Sequence, residues 1–301
     1  RAVKLEEQAR MLANRVRKNF RRLHPRFEAR RIGAFRLYDR DIPEIRAAVD
    51  WYEGHLVVAE YAREQTEGIP WLEAMADAVA GALEVPKDRL HLKKRRSGEQ
   101  YARLARRNQR IPVREGDLRF LVNLDDYIDT GLFADHRETR GRVRAEARGQ
   151  RFLNLFAYTG SFTCAAALGG AAETTSVDAS QTYLDWARDN LAENRVSGPT
   201  HALVRADVAS FLRNAGARRF TLCVLDPPSW SDRETSFDVQ RDHRDLIERT
   251  LAVLEPGGVL WFSTNHQRFT PRLEGLRFTE EDTVPEDYRN RTAHRAFRIT
   301  K

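Results

Sequence analysis

The chain has 301 residues, 41% of them hydrophobic and 32% charged, which is enough for one large domain or two ordinary domains with real cores. Two cysteines are too few for a disulfide framework, and the eight histidines lack ligand spacing, so neither a secreted scaffold nor a metal site is expected. The sequence shows no signal peptide and no transmembrane segment, so we expect a cytoplasmic protein without a membrane partner.

The net charge of +7 is unevenly distributed along the chain. Residues 1–31 hold eleven Lys and Arg against three Glu, and residues 87–110 hold ten basic residues against two acidic ones. Residues 151–301 hold 19 basic and 20 acidic residues. Such concentration favours a nucleic-acid partner over a solvated arginine-rich surface, because phosphates are the usual polyanion. The candidate binding residues are Arg17, Lys18, Arg21, Arg22, Lys93, Lys94, Arg95 and Arg96.

The first half of the chain predicts a small α+β domain. Apolar residues at helical spacing predict a basic amphipathic helix over residues 3–23. Shorter patterns follow, with strands predicted at 35–39, 55–61 and 89–95 and a helix at 69–85. Residues 118–133 alternate like a hairpin, and a helix then leads into the second half.

From residue 151 onward, strand and helix patterns alternate strictly. Alternating units of this kind predict a parallel sheet with right-handed crossovers. The last two patterns, "LRFTEEDTV" and "RAFRIT", predict an antiparallel hairpin at the end. This α/β order, with a mostly parallel Rossmann-like sheet and a C-terminal antiparallel pair, matches class I methyltransferases better than the six parallel strands of a dehydrogenase.

The expected domain organisation has four parts. A basic N-terminal helix and linker occupy 1–34, and a small α+β RNA-binding domain occupies 35–115. A hairpin and linker helix span 116–150, and a methyltransferase domain that uses S-adenosylmethionine spans 151–301.

Polar residues close the predicted strands at the edge where such a sheet binds its ligand. Asp178 lies 18 residues after Gly160, a spacing typical of a carboxylate that binds ribose hydroxyls. The turn "NLFAYTGSF" has one glycine where a dinucleotide fold would show three, so no pyrophosphate cradle is evident. This favours S-adenosylmethionine over a nicotinamide cofactor.

The segment "DPPSW", residues 226–230, follows the fourth predicted strand of this series. Two prolines fix two φ angles and remove two N–H donors, so they would hold Asp226 rigidly at the sheet edge. Prolines that merely end a strand are the simpler interpretation. The position of the segment nevertheless resembles the Asp/Asn-Pro-Pro-aromatic motif of methyltransferases that act on nitrogen, with Ser229 inserted before the aromatic residue.

Ordered segments across nearly the whole chain resemble one methyltransferase family. They include "NRVRKNF", "FRLYDRDIPE", "DDYIDTGLFADHR", "FLNLFAYTGSFT" and "FSTNHQRF". They are similar to the C-terminal, RlmK-like half of the bifunctional RlmK/L guanine methyltransferases of large-subunit ribosomal RNA. The resemblance implies guanine-N7 methylation of 23S ribosomal RNA, as naked RNA or an assembly intermediate. In these relatives an N2-guanine methyltransferase is fused N-terminally, and the match does not extend to it.

The resemblance also implies roles for individual residues. Asp178 would bind the ribose, Asp207 the adenine edge, and Asp226 would lie on the sulfonium side. Trp230 would stack on the target base, and Asn265 would read the guanine edge. The complete cofactor set is Phe133, Asp135, Arg137, Asn154, Phe156, Tyr158, Gly160, Asp178, Ser180, Asp207 and Asp226. The complete catalytic set is Asp226, Pro227, Pro228, Trp230 and Asn265.

Guanine N7 carries an in-plane lone pair and no proton, so its methylation needs positioning but no general base. His243, at helical spacing with apolar residues, is therefore expected to be a buried structural residue. Cytosine-C5 methylation is disfavoured because it needs a thiolate, whereas residue 229 is Ser and Cys223 lies within a strand pattern. Guanine-N2 methylation stays open, as does an RNA-binding ribosome-assembly factor without turnover.

Overall fold

The computed structural model describes residues 4–96, 103–229 and 237–301. Its contacts divide the chain into two units, Arg1–Ala134 with Glu286–Asn290, and Asp135–Pro285 with Arg291–Lys301. The short segment Glu286–Asn290 belongs to the first unit, where the Arg36 N–H donates to the Asp287 carboxylate at 2.9 Å. The boundaries predicted after residues 34, 115 and 150 do not coincide with this division. No helix within the described ranges combines the length and apolarity needed to cross a membrane.

The first unit begins with a long amphipathic helix, α1 (Leu5–Ala29), which confirms the predicted basic helix and extends it through Pro25. Its apolar stripe, including Leu12, Val16 and Phe27, is fully buried in a core that also contains residues of α2 (Trp71–Leu83). The charged residues between these positions stay at the surface, so the helix presents its cations to solvent.

Four strands form the main sheet of the first unit. They are β1 (Ala34–Asp39), β2 (Ala47–Tyr52), β3 (His55–Tyr61) and β4 (Leu90–Arg95), in the order β1-β2-β3-β4. Strands β3 and β4 are parallel, because α2 connects them as a crossover helix. Strand β2 was not predicted.

A separate hairpin joins β5 (Ile111–Glu115) to β6 (Leu118–Val122). The prediction of a hairpin over residues 118–133 is therefore wrong, since β6 pairs with the preceding strand. The chain reverses at Gly116, whose φ of +65° is readily available only to glycine.

The second unit carries a seven-stranded sheet between helices. The helices are α3 (Arg137–Glu146), α4 (Ser161–Leu168), α5 (Gln181–Glu193), α6 (Val208–Arg213) and α7 (Val239–Ala252). The strands are β7 (Arg151–Leu155), β8 (Glu173–Asp178), β9 (His201–Arg205), β10 (Phe220–Leu225), β11 (Leu254–Thr264), β12 (Arg277–Glu281) and β13 (Arg295–Thr300).

The strand order is β12-β13-β11-β10-β7-β8-β9. Strands β7 to β11 are mutually parallel, and β13 lies antiparallel between β11 and β12. This arrangement confirms the predicted α/β class I methyltransferase fold with its C-terminal antiparallel pair. The chain runs outward from β7 to β9 and then resumes at β10 on the other side of β7. The order therefore reverses between β7 and β10, where open α/β sheets bind ligands.

Central strands of the second unit are buried on both faces. Leu153, Leu225 and Phe262 face one cluster of apolar side chains, while Phe152 and Trp261 face another. Burial on both faces explains why these strands read as continuous apolar runs in the sequence.

Candidate functional site

The carboxyl ends of β7, β8 and β10 lie side by side in the second unit. Leu155 is paired with Val177 of β8 and with Leu225 of β10. The next residue of each strand is therefore at one level of the sheet, which places Phe156, Asp178 and Asp226 together along this edge.

The loop after β7 has an unusual backbone. Phe156 and Tyr158 have φ angles of +56° and +52°, in the left-handed region that costs non-glycine residues energy. The Ala157 N–H donates to the Val177 carbonyl at 3.0 Å, which ties the loop to β8. Backbone strain of this kind is retained where the surrounding structure fixes it, often at a ligand site.

Gly160 is required for two independent reasons. Its φ is +77°, and a Cβ atom at this position would lie 2.8 Å from the Cβ of Ala187 in α5. The residue thus allows both the turn into α4 and the close approach of α5. Its predicted role at the ligand edge is one of backbone shape.

Asp178 is held in a fixed orientation by backbone donors. One carboxylate oxygen accepts the Tyr158 N–H at 3.0 Å and the other accepts the Ser180 N–H at 2.9 Å. Ser180 in turn caps α5, because its hydroxyl accepts the Tyr183 N–H at 3.3 Å. The carboxylate is partly exposed at the sheet edge.

Two predicted cofactor residues have different local surroundings. Asn154 is buried, and its amide donates to the Thr163 hydroxyl, which is 2.6 Å from the Ser176 hydroxyl. It therefore supports the base of the loop from inside the core. Asp207 is exposed at the end of β9 and caps α6 by accepting the Ser210 N–H at 2.9 Å.

Asp226 directly follows β10 and has a partner for each carboxylate oxygen. The Ser263 hydroxyl donates to Oδ1 at 2.7 Å, and His136 Nε2 lies 3.4 Å from Oδ2. Pro227 is buried and Pro228 is partly exposed, so the rigid segment continues past the carboxylate. Trp230, the predicted stacking residue, lies outside the described residues.

Asn265 follows β11 at the same edge and is exposed. Its side-chain oxygen accepts a hydrogen bond from the Ser229 hydroxyl, which links the ends of β10 and β11. An amide held in this way keeps its NH2 group available as a donor.

His243, by contrast, is buried and binds the Val239 carbonyl through Nδ1 and the Arg272 N–H through Nε2. The expectation of a structural histidine is confirmed.

Both cysteines are buried. Burial raises the pKa of Cys164 to about 12 and raises the pKa of Cys223 well above its ordinary value. Thiols in such surroundings stay protonated and unreactive near neutral pH. Neither cysteine can therefore supply the thiolate that carbon methylation would need.

The segment from Phe133 to the first residue of α3 holds the other predicted cofactor residues. Phe133 belongs to the first unit and is 36% exposed, and Arg137 is buried at the start of α3. Asp135 accepts a hydrogen bond from His294 Nδ1 at 2.8 Å. Its carboxylate is thus engaged within the second unit.

Three residues near Asp226 were missed by sequence reasoning: His136, Ser263 and His294. His136 lies between two predicted residues, and Ser263 lies two positions before Asn265, so their neighbourhood could have suggested them. His294 has no comparable local signal, because the fold alone brings it to stack on His136 with a ring-centroid distance of 4.2 Å.

The predicted RNA-binding residues lie in the first unit. Arg17, Lys18, Arg21 and Arg22 lie on α1, and the last three are exposed. In the second cluster, Lys94 lies 3.9 Å from Glu60, Arg95 lies 3.4 Å from Asp129, and Arg96 is exposed.

Lys93 is a correction to this set. It is only 2% exposed, and its ammonium group donates to the carbonyls of Tyr127 and Ile128. Burial lowers its pKa to about 8. Lys93 therefore serves an internal contact and is not available to a nucleic acid at the surface.

Comparison with known proteins adds a family match. Residues 33–286 match the family model described as S-adenosylmethionine-dependent methyltransferase. A Neisseria meningitidis protein named ribosomal RNA large subunit methyltransferase K is 40% identical over 304 residues. That alignment covers 95% of this chain and 86% of the relative.

Two further comparisons concern length and fold. A Syntrophotalea carbinolica protein named ribosomal RNA large subunit methyltransferase K/L is 44% identical over 313 residues, covering 99% of this chain. This chain spans only 44% of that relative's length. A solved structure from Streptococcus mutans is 23% identical to this chain, with a TM-score of 0.79. The match covers 97% of this chain and 81% of the solved chain, and it supports the fold alone.

Replacing Gly160 by alanine tests the packing of the loop after β7. Gly160→Ala should lower the free energy of unfolding by about 1–3 kcal/mol more than Gly216→Ala, because an added methyl group would overpack against Ala187. Gly216 is the matched control, since its φ is also positive at +60° but no atom lies within 4 Å of an added Cβ. Urea unfolding followed by circular dichroism measures both. Equal losses would contradict the crowding at position 160.

Proposed function

Because the chain belongs to the S-adenosylmethionine-dependent methyltransferase family, we propose that it transfers a methyl group to N7 of a guanine in 23S ribosomal RNA. The fixed Asp178 carboxylate at the end of β8, the strand next to β7, is the observation that carries the cofactor part of this proposal. Similarity to a relative named for ribosomal RNA large subunit methylation supports the substrate. We further propose that the chain corresponds to the C-terminal half of the longer K/L relatives.

The residues at the sheet edge suit S-adenosylmethionine. Asp178 can accept hydrogen bonds from two ribose hydroxyls, with Ser180 fixed beside it and Asp207 along the same edge. The strained backbone of Phe156 and Tyr158, together with Gly160, shapes the loop where the methionine part would lie. Asn154 supports that loop from behind, and Asp135 and Arg137 are the proposed cover. No pyrophosphate cradle is needed for this cofactor.

The chemistry requires little beyond positioning. When bound, S-adenosylmethionine would supply a sulfonium methyl group to the N7 lone pair, with S-adenosylhomocysteine as the leaving group and a cationic base as the product. Asp226, with Pro227 and Pro228, would fix the acceptor end of the site, and Asn265 would hydrogen bond to the guanine edge. Trp230 would stack on the base. Alignment of the reacting atoms then provides most of the rate enhancement.

The basic face of α1 is the proposed RNA contact. Lys18, Arg21 and Arg22 are exposed there with Arg17 beside them, and Lys94, Arg95 and Arg96 extend the set on β4 and just after it. Such cations bind phosphates without reading sequence, which suits a long RNA substrate. Base selection would then depend on the sheet edge of the second unit.

Removing the Asp178 carboxylate should weaken cofactor binding. We expect Asp178→Ala to raise the Kd for S-adenosylhomocysteine about 10- to 100-fold, because hydrogen bonds to a charged group contribute about 1.5–3 kcal/mol. Isothermal calorimetry measures the effect. Asp185→Ala, on the exposed side of α5, is the control and should leave Kd unchanged. An unaltered Kd in Asp178→Ala would remove Asp178 from the cofactor site.

Removing cations from α1 should flatten the salt dependence of RNA binding. Replacing Arg17, Lys18, Arg21 and Arg22 by Gln should reduce the slope of log K against log salt by about 1.5, if two of them contact phosphates. Filter binding at several salt concentrations measures this slope. The control replaces four exposed arginines of the second unit, Arg188, Arg213, Arg218 and Arg219, which changes the net charge equally. Equal slopes in the two variants would contradict the proposed RNA contact.

Substrate analogues separate the possible target atoms. An rRNA transcript made with 7-deazaguanosine lacks every guanine N7 but keeps the exocyclic amines, so labelled methyl transfer should be abolished while RNA binding persists. Methylation of the 7-deaza transcript would transfer the assignment to the N2 amine, which the Asp-Pro-Pro segment could also serve. If the ordinary transcript, stripped of ribosomal proteins, accepts no methyl group while the cofactor binds, an RNA-binding assembly factor is the better description.

A further inference from the structure

His136 is a buried histidine at the candidate methyl-transfer end of the site. It is 5% exposed, and its Nε2 atom lies 3.4 Å from Asp226 Oδ2. Its Nδ1 atom is buried and has no hydrogen-bond partner among the described residues. The Ser263 hydroxyl is the partner of Oδ1, so both carboxylate oxygens of Asp226 have a partner. The orientation of that carboxylate is therefore set from two sides.

A second histidine fixes the ring of His136 from behind. His294 stacks on it with an interplanar angle of 21°. Both nitrogens of His294 are engaged, because Nδ1 lies 2.8 Å from an oxygen of Asp135 and Nε2 lies 2.8 Å from the Thr283 hydroxyl. The Thr139 hydroxyl donates to Thr283 at 2.8 Å and extends this series of hydrogen bonds. The arrangement fits the neutral form of His294 in which Nδ1 carries the proton.

The two histidines differ in charge preference. Burial alone would lower the pKa of His136, but the nearby carboxylates of Asp226 and Asp135 outweigh burial and the opposing Arg140, and the pKa is raised. Burial lowers the pKa of His294, and the charge of His136 lowers it further, against the effect of Asp135. The two shifts have opposite directions, favouring the protonated form of His136 and the neutral form of His294.

A metal ion is the other occupant that such a cluster could suggest. Atoms of Asp135, His136 and His294 lie within 4.8 Å of one another. The hydrogen bonds of His294 already use both of its ring nitrogens, and Asp135 is the partner of one of them. Three of the four ring nitrogens of the two histidines thus have protein partners, so the cluster is better described as a hydrogen-bonding support for Asp226 than as an ion site.

We propose that His136 is a positioning residue for methyl transfer, which in its protonated form holds the Asp226 carboxylate in the orientation needed at the acceptor end of the site. This inference rests on the proposed methyltransferase function. It makes Asp226 a fixed hydrogen-bond acceptor whose two oxygens are already engaged. Such a carboxylate positions other groups and does not act as a base. It therefore suits a methyl-accepting atom such as guanine N7, which has no proton to give up.

Titration of His136 tests the interaction without any turnover. In the full chain with 13C-labelled histidine, the His136 resonance, assigned by its loss in His136→Gln, should titrate above the ordinary value of about 6.5. Asp226→Asn should lower the pKa of His136 by about one unit or more, because an opposite charge is removed. Titration at or below the ordinary value, or a pKa that Asp226→Asn leaves unchanged, would overturn the inference.

Kinetics then tests the functional consequence. His136→Gln keeps a donor near Asp226 but removes the charge, so kcat for rRNA methylation should fall about tenfold, equivalent to about 1.4 kcal/mol. The KM for RNA and the Kd for S-adenosylhomocysteine should stay unchanged. Because a histidinium is present below its pKa and lost above it, wild-type kcat should decline as pH rises through that pKa. His136→Gln should lack this decline.

Control variants keep the interpretation specific. His201→Gln, in β9, alters another partly buried histidine of the same unit and should retain the wild-type pH profile. A His136→Gln variant whose reduced kcat keeps the wild-type pH profile would contradict the positioning role. If the wild-type chain methylates no RNA, the proposed function fails, and the titration of His136 with and without Asp226 alone decides the His136–Asp226 interaction.

Discussion

The reversal of strand order between β7 and β10 is the constraint on which the candidate site depends. Because these two strands are adjacent and parallel, the chain after each of them leaves the same edge of the sheet and turns into separate helices. Asp226 follows β10 on one side of the β7 exit, and Asp178 ends β8 on the other side. The buried faces of the central strands fix their register, since a one-residue slip would turn apolar side chains outward.

Polar groups at this edge are themselves supported by the core. Asn154, Thr163 and Ser176 form a buried network beneath the strained loop, while Ser263 and His136 hold Asp226. These contacts join different secondary-structure elements of the second unit. Hydrogen-bonded networks of this kind restrict the movement of their members, which suits a reaction limited by the alignment of an acceptor atom with a methyl group.

Sequence reasoning was most successful where local pattern and tertiary burial agree. The α/β order of the second unit follows from its apolar strands, and the acids that follow them could be identified as edge residues. Strand β2 was missed although Glu53 and Gly54, with φ angles of +47° and +88°, form the tight turn to β3. Alternation along β4 predicts that Leu92 and Lys93 face opposite sides. Lys93 is the buried one of the two because its ammonium group donates to the carbonyls of Tyr127 and Ile128. These carbonyls are remote in sequence, so no local pattern reveals the contact. The stacking of His136 on His294 is equally non-local.

The most direct test is a crystal structure of the chain with S-adenosylhomocysteine. The account predicts that the ribose hydroxyls bind Asp178 and that the sulfur atom lies at the end of the site nearest Asp226, with the His136 and Ser263 contacts preserved. A ligand bound elsewhere in the chain would contradict it, as would one at this edge whose sulfur atom points away from Asp226.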